Sequence, residues 1–364
     1  MPFAAYMQLA LYHPTHGYYA AARPRTGFAG HFVTAAEMGP AFGALWARAL
    51  AHVWDACGRP PRFDLVEIGP GEAGLAQALL SSAQGHFARA LRYHLVERNR
   101  AAEERQRAAL ARWTETQWHP AIDDVERFEC GCVFANEVLD NLPVHLVERR
   151  NGELMEVCVE VVDDRLVERL RPPSSDHLER FLAQSHVRLP EGHRFEVGLA
   201  AMSLIARAAS LFERGALFLI DYGMSAAEAE KRPLGTLVCY SEAGSDGEPL
   251  DRPGEKDITS HANWTAVVRA LEEARLETVG PVPQAAVLRS LGIGEYDEVL
   301  RAAQERSAAD GQGAATVRAL SRRQGLRILT DPAGLGGQDV VAGLRDIETP
   351  DFLLAAQRGQ LSTG

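Results

Sequence analysis

Short apolar runs alternate along the middle of the chain with longer stretches of helical period. Residues 63–68 (FDLVEI) predict a buried strand and 73–83 (AGLAQALLSSA) a helix. Residues 91–97 (LRYHLVE) predict a second strand, followed by an amphipathic helix in AAEERQRAALARW. A short extended piece at 116–118, then 132–136 (CVFAN) and 216–221 (ALFLID), supply three more strands. Strands separated by helices imply βαβ crossovers and therefore an α/β fold with a mostly parallel sheet. From 146 to 167 valines alternate with charges instead, which predicts a hairpin inserted near 146–195.

The flanks differ from this middle. The first sixty residues are rich in aromatic and small residues, with turn signals at Pro14, Gly17, Pro24, Gly27 and Gly30. A helix is expected from Pro40, with Phe42, Leu45, Ala49, Val53 and Trp54 on one face, stopped by Gly58 and Pro60-Pro61. HANWTAVVRALEEARL is a clear amphipathic helix, alanine-rich helices fill 285–325, and the last twelve residues read as frayed. The expected organisation is an N-terminal lid and helical segment (1–60), a nucleotide-binding core (61–225), and helical additions with the final strands of the sheet (226–364).

Composition narrows the function classes. The 364 residues carry 38 Lys+Arg against 49 Asp+Glu, a net charge of −11, which argues against a nucleic-acid or anionic-membrane partner. No stretch approaches the roughly 20 apolar residues of a membrane span. The N-terminus lacks the early positive charge of a secretory or transit signal, so a cytoplasmic protein is expected. Five scattered cysteines make no disulfide framework, and Cys130-Gly-Cys132 lacks zinc-ligand spacing, so no metal is expected.

The sharpest local signal is Gly69-Pro-Gly71-Glu-Ala-Gly74, a G-x-G-x-x-G between a strand and a helix, with Glu97 ending the next strand where a ribose diol would sit. Charge selects among nucleotide cofactors. A pyrophosphate needs backbone N–H groups, yet Pro70 removes one and Glu67 and Glu72 flank the loop. Like charges about 8 Å apart repel by roughly 2 kcal/mol at an effective dielectric of about 20. S-adenosylmethionine has no phosphate, and its sulfonium and ammonium groups suit acidic neighbours, so the loop favours it over NAD. Glu72 has a plainer use as a partner of the helix dipole.

CVFANEVLDNLPV sets Asn136, Glu137 and Asp140 at the carboxyl end of an apolar strand, where open parallel sheets bind ligands. A helix starting after Asn136 would put Glu137 and Asp140 on one face, with Asn136 either an N-cap or part of a polar cluster. Trp118 has two uses open to it, adenine stacking or core packing. Tyr12, His13, His16, Tyr18 and Tyr19 likewise could line an acceptor groove or pack the N-terminal segment.

Taken in order, YMQLALYHPTHGYY, FVTAAEMGPAFG, LVEIGPG, LVE, FANEVLDNLPV, LFLIDYG, GTLVCY, DITSHANW and QAAVLRSLGI resemble the MidA-like family of S-adenosylmethionine-dependent methyltransferases. The resemblance runs from about residue 3 to residue 293. It implies a class I methyltransferase (Rossmann-like) fold with an N-terminal lid and C-terminal helical additions, and S-adenosyl-L-methionine as donor. Its mitochondrial member is a complex I assembly factor that methylates an arginine, which implies a protein substrate, with a respiratory complex I subunit as one partner. On the matching positions, Glu67, Gly69, Pro70, Gly71, Glu97, Asn136 and Thr34 would bind the cofactor. Glu137, Asp140 and Glu37 would orient a guanidinium acceptor. His31, Ala36 and Glu72-Ala73-Gly74 depart from the family pattern. The alanine-rich helices of 285–325 suggest a homodimer face.

Overall fold

The computed structural model describes residues 1–20, 35 and 38–361, so Thr34 and Glu37 lie outside the described residues. The chain forms two compact units, each assembled from separate stretches: 33–136, 210–220 and 276–364 in one, and 1–32, 137–209 and 221–275 in the other.

The first unit is built on a seven-stranded sheet. Strand β1 (Phe63–Ile68) pairs in parallel with β2 (Leu91–Val96) on one side and β4 (Phe128–Asn136) on the other. Outward from these lie β3 (Thr116–His119), parallel to β2, and β9 (Phe212–Asp221), parallel to β4. Strand β16 (Asp339–Arg345) lies beside β9 and carries the antiparallel β15 (Glu277–Pro283). The order β15-β16-β9-β4-β1-β2-β3 reverses direction of travel at β1, so the loop after β1 opens at the topological switch point where such sheets bind ligands. All six β1 residues are buried, as expected of a strand covered on both faces.

Close approaches hold this sheet and its helices. Gly131 and Gly215 sit opposite each other on β4 and β9, where a Cβ would strike backbone at 2.0 and 1.8 Å. Helix α2 (Pro40–Ala56) presses Gly43 onto Ala78 of α3 (Gly74–Ser82), again with no room for a Cβ. Trp46 of α2 packs edge-on to Phe134 of β4 and Phe218 of β9, with ring centres 4.7 and 5.2 Å away. Helices α4 (Gly85–Ala90) and α5 (Arg100–Ala109) flank β2 in sequence. The alanine-rich stretch becomes α10 (Gln284–Ser290), α11 (Ile293–Ala309) and α12 (Gly313–Thr330). The end of the chain corrects the expectation of fraying. Residues Asp351–Leu361 form α13, anchored by the buried Phe352, Leu353 and Ala356.

In the second unit the expected hairpin grows into a four-stranded antiparallel sheet, in the order β7-β6-β5-β8. Its strands are β5 (His145–Arg150), β6 (Glu153–Val162), β7 (Arg165–Arg171) and β8 (Arg194–Val197). Helix α1 (Phe3–Tyr12) lays Phe3, Met7 and Leu11 against Leu146, Val157 and Val159 of this sheet. Three short strands, β11 (Val238–Ser241), β12 (Gly244–Asp246) and β13 (Asp257–Thr259), form a second small sheet. Strand β10 (Gly223–Met224) pairs with β14 (Ala262–Asn263). Helices α6 (His177–Gln184), α7 (Leu199–Ser210), α8 (Ala226–Ala229) and α9 (Trp264–Glu273) complete it. Among the described residues, no helix is long and apolar enough to cross a membrane.

Candidate functional site

The glycine loop is shaped by backbone that only glycine adopts readily. Gly69 and Gly71 have φ of 67° and 54°, and Ala73, at 59°, caps α3 from the left-handed region. Among the described residues beyond its chain neighbours, no atom lies within 4 Å of a Cβ built on Gly71, so that side of the loop has room for a ligand.

The acidic residues around the loop are each held. Glu67 is buried at the end of β1, and its Oε2 accepts the Tyr93 hydroxyl at 2.7 Å. Burial pushes its pKa up to about 7, against the opposing pull of that hydrogen bond. Glu72 is gripped by Arg105 of α5, with Nε 2.9 Å from Oε2 and a terminal nitrogen 2.7 Å from Oε1. Neither glutamate is therefore the bare charge invoked against a pyrophosphate. Tyr93 and Arg105, 26 and 33 residues further along the chain, compensate them.

Glu97 follows β2, and both its oxygens are fixed. Oε1 accepts the Asn99 N–H at 2.7 Å and Oε2 the Gln106 amide at 3.0 Å. Burial raises its pKa, while the N–H groups of Asn99 and Arg98 and the Gln106 amide resist that rise. A carboxylate offers about four acceptor directions, more than these donors take, so a diol can be held as well. Trp118 of β3 donates its indole N–H to Gln106 at 3.0 Å and has the Arg107 guanidinium 4.3 Å from a ring centre. The residues present fit an adenosine-type cofactor: an open glycine turn, an acid fixed at the end of β2, and an indole beside it. Gln106 carried no motif signal, because a lone Gln in an amphipathic helix reads as surface.

The stretch after β4 departs from expectation. Asn136 ends the strand, but no helix follows. Glu137 takes φ of 53°, rare for a residue with a side chain, and residues 139–142 form a turn that Pro143 ends. The reason lies 81–83 residues away. Asp221, fully buried, accepts the N–H groups of Val138, Leu139 and Asp140 on Oδ2 at 3.1, 2.8 and 3.2 Å, and that of Tyr222 on Oδ1 at 2.8 Å. Successive N–H groups wrapped on one carboxylate make an anion nest rather than a helix start.

Asp140 lies within a crowd of acids in the second unit. Its Oδ1 is buried and has no hydrogen-bond partner among the described residues, while its carbonyl accepts the Ser260 N–H at 2.8 Å. Burial, then Asp221, Asp257 and Glu137, drive its pKa well above the carboxylate range. Asp257, also fully buried, is raised to about 7 by burial. It accepts the Tyr19 hydroxyl at 3.0 and 3.1 Å on its two oxygens and the Asn141 amide at 3.0 Å. Tyr12 stacks on Tyr19, with ring centres 5.5 Å apart, and donates its hydroxyl to the Asn141 carbonyl at 3.0 Å. The N-terminal aromatics thus divide their work. Tyr18 is core, Tyr12 and Tyr19 border the acids, and His13 and His16 stay at the surface.

Similarity to known proteins agrees with this geometry. Residues 45–282 match the family described as S-adenosyl-L-methionine-dependent methyltransferases. A Burkholderia thailandensis protein solved with bound S-adenosyl-homocysteine superposes with a TM-score of 0.83 at 30% identity, over 98% of this chain and 90% of that one. The protein arginine methyltransferase NDUFAF7, mitochondrial, of Mus musculus is 28% identical over 80% of this chain and 70% of its own length. Its Danio rerio counterpart is 26% identical over 82% of this chain and 74% of its own length. The NDUFAF7 relatives are named mitochondrial, which overturns the cytoplasmic placement expected from the N-terminus. Charge and hydropathy report how a chain meets water, not where it is delivered. This chain belongs to the S-adenosyl-L-methionine-dependent methyltransferases.

Proposed function

We propose that this methyltransferase modifies an arginine side chain of a protein. The observation that carries the reading is the carboxylate set of the second unit, Glu137, Asp140, Asp221 and Asp257, bordered by Tyr12 and Tyr19: burial and the other three raise Asp140, burial and Glu137 raise Asp221, and burial raises Asp257. Crowded buried acids destabilise one another until a cation arrives. A guanidinium is planar, permanently charged and suited to paired carboxylates. The name of the matched relatives, protein arginine methyltransferase, supports the same acceptor. The family resemblance extends the proposal to a respiratory complex I subunit as partner.

In this reading Glu67, Gly69, Pro70, Gly71 and Glu97 hold the cofactor and Asn136 its methionine end, and the family resemblance adds Thr34, which lies outside the described residues, to the cofactor-binding set. The bound cofactor supplies an electrophilic methyl on a sulfonium. Glu137 and Asp140 orient the guanidinium so that one nitrogen attacks in line, with Glu37 as a third carboxylate. Alignment of this kind supplies on the order of 7–11 kcal/mol. The new N–C bond would form as the sulfonium S–CH3 bond breaks, its electron pair leaving with sulfur as S-adenosylhomocysteine, and one guanidinium proton would pass to a carboxylate, for which the raised pKa of Asp140 suits it.

The test is calorimetric titration with S-adenosylmethionine, with NADH as control, followed by transfer of labelled methyl to mitochondrial protein and analysis for methylarginine. Micromolar cofactor binding and label in methylarginine are expected. Asp140→Asn should keep cofactor affinity while cutting transfer by about 10²-fold or more. Transfer that survives this change intact would release Asp140 from the acceptor role, and label in another residue type would sink the arginine reading.

A further inference from the structure

Gln106 of α5 is fully buried, at 0% exposure. Burying a primary amide is costly unless its groups are matched, and here they are. Its Nε2 donates to the Gly71 carbonyl at 2.8 Å and to Glu97 Oε2 at 3.0 Å, and its Oε1 accepts the Trp118 indole N–H at 3.0 Å. The amide can face only this way. Rotating it by half a turn would set its oxygen against two acceptors and its N–H groups against a donor. One side chain thereby ties together the open glycine turn, the acid after β2 and the indole of β3. The same helix sends Arg105 to Glu72 on that turn, and the Asn99 side chain that caps it follows the N–H that holds Glu97 Oε1.

We infer that Gln106 is a positioning residue for the cofactor, fixing the Glu97 carboxylate in the orientation that receives the ribose hydroxyls. This rests on the reading that Glu97 binds the ribose. With Oε1 held by the Asn99 backbone and Oε2 by Gln106, the plane of the carboxylate is set before any ligand arrives. A carboxylate held that way loses no rotational freedom on binding a diol. Without Gln106 the group keeps only backbone donors, the N–H groups of Asn99 and Arg98, loses the side-chain anchor on Oε2, and leaves the Gly71 carbonyl and the Trp118 N–H without their Gln106 partner. Gln106 touches no reacting atom, so its removal should act on cofactor affinity and leave the rate at saturating cofactor nearly unchanged.

The experiment is titration of the full-length protein with S-adenosylhomocysteine and with its 2′-deoxy derivative, for the native chain and for Gln106→Met. The native chain should prefer the hydroxylated ligand by about tenfold or more, the net worth of one charge-assisted hydrogen bond. Gln106→Met, similar in volume and without hydrogen bonds, should lose about tenfold in affinity for S-adenosylhomocysteine and much less for the 2′-deoxy ligand, flattening the preference. Equal losses for both ligands would overturn the inference, since packing alone would act that way. A native chain without preference would remove Glu97 from the ribose and the inference with it, while leaving cofactor binding and methyl transfer standing. If Gln106→Met does not fold, Gln106→Asn keeps the amide but withdraws it by one methylene. The same flattening is then expected, and an unchanged preference would overturn the proposal.

Discussion

The two units handle buried carboxylates in contrasting ways. In the parallel-sheet unit each acid near the glycine turn has its own donor: Tyr93 for Glu67, Arg105 for Glu72, and Gln106 with the Asn99 N–H for Glu97. In the antiparallel unit burial raises Asp140, Asp221 and Asp257, neighbouring acids add to the rise at Asp140 and Asp221, and the donors they do have are neutral N–H and O–H groups. The first arrangement is finished without further ligand charge, as suits a site that must recognise hydroxyls and a purine. The second has acids with no cation beside them, which hold their protons instead, as suits a site that ionises fully only when a cation arrives. Substitutions should accordingly have different signatures in the two units.

The largest effect is expected at Gly71→Val. A β-branched residue at φ of 54° is strained by roughly 1–3 kcal/mol, and its methyls would fill the open side of the turn. Cofactor affinity by calorimetry should fall beyond detection while the fold persists, and retained micromolar binding would place the cofactor elsewhere. Next comes Asp221→Ala, which leaves four backbone N–H groups without their acceptor. Each such loss costs about 1–3 kcal/mol, so urea unfolding should show a loss of several kcal/mol, offset in part by relief of crowding with Glu137. A stability change near zero would mean that relief balances the lost bonds.

The smallest effect is a slope against pH. Glu67 has its pKa raised from 4.5 to about 7 in the folded chain, so the folded state holds its proton more tightly than the unfolded one. Its contribution is complete below the unfolded value and is lost as pH rises through about 7, on the order of 3 kcal/mol in all. Asp257, raised from 3.8 to about 7, acts in the same direction. Unfolding midpoints measured from pH 5 to 8 should therefore decline, and Glu67→Gln should decline less. Parallel slopes for the two chains would show that Glu67 does not titrate in this range.

Much of this was legible in the sequence because it is local. Strand β1 is a short, mostly apolar run, Gly69 and Gly71 mark a turn that needs positive φ, and Glu97 directly follows the next strand. The rest depends on contacts that no local pattern carries. Asp221 was legible as the polar end of its strand, but that Tyr19 meets Asp257 across 238 residues and Asp221 meets Leu139 across 82 is written in neither segment. The expected helix after Asn136 failed for that reason, since a distant carboxylate claimed the N–H groups that would have begun it. The three-segment organisation expected from composition is likewise silent about units interleaved along the chain. α13 was missed because its apolar run, Phe352 to Ala356, is short, and its burial depends on partners elsewhere in the chain.

The left-handed backbone at Glu137 has a consequence for how this protein could be improved or spoiled. At φ of 53° glycine would fit better than glutamate by about 1 kcal/mol. A search that selected only for heat resistance would find Glu137→Gly among its early gains, and would discard with it one of the carboxylates proposed to grip the acceptor. That the chain keeps an ill-suited residue there marks the position as a compromise between endurance and work.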